Sequence, residues 1–229
     1  MEITAILKAR ALARVELDEL NLGGRVRFLD CVAPLVERYQ FAVFPQKPED
    51  FDFTKNGVKF ESGKANGLLI DSLVIYDQAI YVDTLSSTDD SQKILLEMME
   101  WGRDALRLSY RPGMFRKWGY ISDITFQTDF PLLASFSSPL QRLGEKTSEV
   151  MGDLFDGLHY QPMSLTIGHD PNVRKNGIAG LVIQHRVGTL FSENKYFSEA
   201  PLPTHFHIRF LQEFEADVLE ARKLQALAD

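Results

Sequence analysis

Residues 68–85, LLIDSLVIYDQAIYVDTL, read as a β-hairpin. Leu68, Ile70, Val74 and Ile75 face Ile80, Val82 and Leu85 across a turn at Asp77-Gln78. The same period of two runs through the N-terminus. Met1, Ile3, Ala5, Leu7, Ala9, Ala11, Ala13, Val15 and Leu17 are apolar, with Glu2, Thr4, Lys8, Arg10, Arg14, Glu16 and Asp18 between them. Alternation of this kind marks a half-buried strand, although the alanines would suit a helix equally well. Residues 118–129 alternate again, and further strands are predicted near 158–168, 178–187 and 190–199.

Helical spacing appears between these strands. Asp30 reads as an N-cap ahead of Val32, Leu35, Val36 and Tyr39, with Pro34 in the first turn and a short strand at Val26 and Phe28 before it. Thr88 reads as the cap of a helix with Asp89 and Asp90 in its first turn and a stripe of Ile94, Met98, Trp101, Ala105 and Leu108. Ser138-Pro-Leu-Gln141 opens a third helix, with the stripe Leu140, Leu143, Thr147, Val150 and Leu154 and a stop at Gly157. Pro203-Thr204 opens the last, with Phe206, Phe210, Phe214 and Val218 four apart. The fold class that follows is α+β: a mostly antiparallel sheet with four principal helices.

The order strand, helix, strands, hairpin, helix occurs twice. Helix starts at 30 and 138, hairpin turns at 77 and 188, and last-helix caps at 88 and 204 are separated by 108, 111 and 116 residues. The 229 residues are therefore expected to fold as a single compact unit, with a possible duplication into halves 1–115 and 116–229.

Composition narrows the class. There are 25 basic and 32 acidic side chains, a net charge of −7, and one cysteine, Cys31. The acidic balance argues against a general nucleic-acid or membrane-surface binder. A lone cysteine forbids an intrachain disulfide. No apolar run approaches the length of a membrane span, and residues 1–15 carry too many charges for a secretory signal. A cytoplasmic location is the expectation.

Motifs for chemistry are sparse. Gly57 and Gly63-Lys64 fail the spacing of a phosphate loop, and Ala65 stands where a magnesium-binding hydroxyl would be needed. No motif implies a cofactor or a metal. All five histidines lie between 159 and 207, and His159, His169 and His185 would serve as acid, base or metal ligands if they converged. Cys31 among Val32 and Leu35 reads as a buried, inert thiol.

One window departs from the average. Residues 102–121 hold Arg103, Arg107, Arg111, Arg116 and Lys117 against Asp104 alone, a local charge of +4 that leaves −11 for the remainder. Tyr110, Phe115, Trp118 and Tyr120 are interleaved. Cations among aromatics suit an anionic ligand or an acidic surface, and Arg103, Arg107, Arg111, Arg116, Lys117, Trp118 and Tyr120 are the candidate site. The expected function is a non-catalytic interaction or assembly subunit, homo-oligomeric or bound to an acidic protein partner. The alternative is an enzyme acting on a phosphorylated or nucleotide-like substrate, with the arginines as anion clamp and the histidines as acid/base or metal ligands.

Overall fold

A computed structural model describes residues 1–152, 158–170, 172–173 and 179–228. In chain order the main elements are β1 (Glu2–Arg14), α1 (Leu17–Leu20), α2 (Phe28–Tyr39), β2 (Val58–Ala65), β3 (Leu68–Ile75), β4 (Ala79–Thr84) and α3 (Thr88–Ala105). They continue as β5 (Trp118–Gln127), α4 (Leu132–Ser135), α5 (Ser138–Gly152), β6 (Ser164–Ile167), β7 (Leu181–His185), β8 (Lys195–Ala200) and α6 (Thr204–Ala228). The fold is α+β, with the strands in one antiparallel sheet ordered β2-β3-β4-β1-β5-β8-β7-β6. No helix among the described residues is long and apolar enough to cross a membrane.

The chain divides into two compact units. The first comprises Leu7–Ser122 with Leu202–Thr204, and the second Met1–Ile6, Asp123–Pro201 and His205–Asp229. Among the described residues each contains the order strand, two helices, three strands, helix. In the first the strands lie β2-β3-β4-β1, and in the second β6-β7-β8-β5.

In the first unit the hairpin pairs as its apolar pattern dictates, with Ile75 opposite Ile80 and Leu73 opposite Val82. Alternate residues Ala9, Ala11 and Ala13 of β1 join that face and are fully buried. Their small side chains resolve the strand-or-helix ambiguity: they let α3 approach so closely that Ser91 Oγ donates to the Ala9 carbonyl at 2.6 Å. The core between sheet and helices is built from Phe60, Leu73 and Val82 below and Leu35, Leu95 and Met98 above. On the opposite sheet face Arg10 and Asp83 form a two-pronged pair.

Several local expectations are corrected. Helix α2 begins two residues before Asp30, so no strand forms at Val26 and Phe28, and Pro34 sits inside the helix rather than in its first turn. Asp30 instead pairs with Arg27 at 3.0 Å. The cap of α3 is Ser87, whose Oγ accepts the Asp90 N–H at 3.0 Å. Thr88 is buried and exchanges two bonds with Thr204, each hydroxyl accepting the other residue's N–H. Replacing Ser87 by Ala should cost about 1 kcal/mol, visible as a modest fall in the urea midpoint.

The second unit has its own core of Phe126, Ile183, Tyr196, Leu211 and Val218. The buried stripe of α6 is His207, Leu211 and Val218, while Phe206 and Phe210 are exposed beneath the Arg209 guanidinium. Residues four apart drift around a helix of 3.6 residues per turn, so the row starts exposed at Phe206 and Phe210 and reaches the core through Phe214 at Val218. None of the residues in α5 is buried, and its row of Leu140, Leu143 and Val150 is exposed. The proposed stop of that helix at Gly157 lies outside the described residues.

Candidate anion-binding cavity

The site is built where β1 ends and the 106–117 connection returns to the sheet. After Arg14 the chain is anchored by Val15 N–H to the Gln78 carbonyl and Leu17 N–H to the Asp77 carbonyl, and then coils into α1. At the other side, α3 ends with Arg107 in the left-handed region at φ 59°. That reversal brings the Leu108 N–H back to the Gly102 carbonyl, and Ser109 N–H then donates to the Leu20 carbonyl at 2.7 Å. Gly113, at φ 80°, makes the tight turn in which Met114 N–H reaches the Arg111 carbonyl. Arg14 N–H donates to the Lys117 carbonyl at 3.1 Å, closing the ring of backbone.

Within this frame the aromatic residues turn inward and the cations outward. Tyr110 and Phe115 are buried in the core, and Phe115 meets Trp118 edge-to-face at 5.6 Å. Burial raises the Tyr110 hydroxyl above its ordinary pKa. Trp118 and Tyr120 are half-buried, and the Tyr120 hydroxyl donates to Gln92 Oε1 at 2.8 Å. The aromatics therefore pin the connection to the protein rather than stand open as platforms.

Arg111, Arg116 and Lys117 line one open cavity of about 670 Å³ together with Arg14, and Glu16 and Glu19 stand on the same wall. Four cations and two anions give the lining a charge of +2. Among the described residues no carboxylate is ion-paired with any of the four cations. Arg103 and Arg107 are not part of the lining. Arg103 is engaged by Asp104 at 2.7 Å, a hydrogen bond that raises its already high pKa. Arg14 escaped the charge-window reading because it lies about a hundred residues upstream; only the pairing of β1 with β5 brings it here.

The histidines are not in this cavity. His159 and His169 are exposed, and His185 is buried with Nε2 against the Leu190 carbonyl at 3.2 Å. His207 is buried with Nε2 2.8 Å from Ser198 Oγ. Among the described residues no three His, Cys, Asp or Glu side chains are grouped as metal ligands would be.

Cys31 is buried, and burial, helped by nearby Asp30, pushes its thiol up to about 11. Iodoacetamide should alkylate it at pH 8 roughly 100-fold more slowly than the unfolded chain, whose thiol ionises normally. A folded thiol that holds its proton more tightly also contributes stability that is full below pH 9 and lost as the pH rises toward 11. Quantitative mass spectrometry of the alkylated fraction across that range reads the first effect directly.

Compared with models of known protein families the chain matches none, and no curated protein matches it in sequence.

Proposed function

We propose that the chain is a non-catalytic interaction or assembly subunit whose basic cavity receives an acidic surface of a second copy. The observation that carries this reading is the set of four cations, Arg14, Arg111, Arg116 and Lys117, sharing one cavity with no carboxylate ion-paired to them among the described residues. Exposed guanidinium groups in a concave wall raise the local potential and attract an acidic partner before contact. The charge of the rest of the chain supports self-association, since residues outside 102–121 sum to −11. An acidic patch on one copy and a basic cavity on another make a heterologous contact, which closes into a ring or extends into a filament.

The enzyme reading draws on the same cavity, whose 670 Å³ falls within the ~300–1,000 Å³ range of small-molecule sites. No histidine lines it, so acid-base work there would fall to Glu16 and Glu19. A phosphorylated small molecule would bind without needing a second copy.

Sedimentation equilibrium of the unsubstituted protein separates the two. The assembly reading expects a mass above 26.0 kDa at low salt that falls as sodium chloride rises, because screening shortens the reach of these charges to about 8 Å near physiological ionic strength. A mass of 26.0 kDa at every salt concentration overturns it.

A further inference from the structure

The first unit also holds a separate, partly open cavity of about 250 Å³ between its sheet and its helices. Cys31 and Leu35 of α2, Met98 and Trp101 of α3, and Leu73 and Ile80 of the sheet are among its walls. Protein interiors hold few voids larger than a water molecule, and each void forfeits contacts on every lining atom. A recess of this size, walled mostly by core side chains, is costly to leave empty. Water is a poor occupant. A buried water needs two to four polar partners, and two of the polar side chains in the wall are already engaged. The Asn21 side chain is used on both sides by Val26, donating to its carbonyl at 2.8 Å and accepting its N–H at 3.0 Å. The Cys31 thiol donates to the Arg27 carbonyl at 3.8 Å. Asp18 stands at the exposed rim. By contrast, an apolar cavity of only about 150 Å³ is enough to hold benzene. The two methionines on the wall, Met98 and Met99, have the adaptable side chains that accommodate varied apolar shapes.

We infer that this cavity is a binding site for one small neutral apolar molecule, an aliphatic chain or an aromatic ring system larger than benzene. It is independent of the basic cavity: the two share no lining residue.

Cys31 is the one cysteine of the chain and lies in the wall, so its chemistry reports occupancy. Naphthalene serves as the probe, and the rate of Cys31 modification by methyl methanethiosulfonate is followed by whole-protein mass. The expected result is a saturable slowing of at least tenfold, unchanged by raised salt and by Arg111→Glu with Arg116→Glu. A Leu35→Phe variant, which fills the cavity, should lose the naphthalene effect while keeping a cooperative melting transition. If that variant fails to fold, protection in the unsubstituted protein decides the matter by itself. An unchanged modification rate at saturating naphthalene overturns the proposal. So does protection that disappears with salt or charge reversal, because the probe would then sit in the basic cavity.

Discussion

Replacing Asp83 by Ala should lower stability by about 3–5 kcal/mol, the cost of leaving a partly buried charge without its partner. Asp83 is 4% exposed in its side chain and Arg10 is 22% exposed. Nε and one terminal nitrogen of Arg10 each donate to a different Asp83 oxygen at 2.7 Å. Ser72 Oγ donates to the same carboxylate at 3.0 Å, and the guanidinium lies 3.7 Å from the centre of the Tyr81 ring. Three strands are thus joined through one carboxylate, since Arg10 belongs to β1, Asp83 to β4 and Ser72 to β3. Removing the carboxylate strands the guanidinium over a ring and a serine, where water reaches it poorly. The measurement is the urea midpoint of the variant against the unsubstituted protein. Glu61→Ala is the contrasting control: its pair with Lys59 is exposed on both sides, and pairs of that kind contribute about 1 kcal/mol or less. A loss at Asp83 no larger than the loss at Glu61 would contradict the account of this network.

The hairpin and the long first strand were legible because a one-residue slip would turn every apolar side chain to the wrong face. Helix boundaries were less so. Ser87 and Thr88 are adjacent hydroxyls, either of which could cap α3, and the choice is made by Thr204, 116 residues away. The candidate site was half legible. Local composition found Arg111, Arg116 and Lys117, which line the cavity, but also Arg103, which Asp104 occupies. It had no means of telling an inward aromatic from an outward one. Tyr110 and Phe115 therefore looked like partners of the cations, when their burial is what holds the cations out. Arg14 carried no signal beyond its place on the polar side of β1. The repeated element and strand order within each unit supports the duplication suggested by the offsets of 108, 111 and 116 residues, and that duplication is proposed here on that ground.

The second large effect concerns association. Arg111→Glu together with Arg116→Glu exchanges two of the four lining cations for carboxylates beside Glu16 and Glu19. The lining charge passes from +2 to −2, so attraction toward an acidic surface becomes repulsion. Both side chains are exposed and, among the described residues, make no ion pair. Folding should therefore be little affected, with a change within about 0.5 kcal/mol. The association constant should fall roughly 100-fold, about one factor of ten for each reversed charge. A variant that folds normally and fails to associate separates a docking role from a structural one.

Sedimentation equilibrium of the unsubstituted and doubly reversed proteins, side by side at low and high salt, tests the central claim most directly. The account predicts that only the unsubstituted protein at low salt exceeds 26.0 kDa. An unsubstituted protein that remains at 26.0 kDa throughout, or a reversed variant that associates as strongly as its parent, would contradict it.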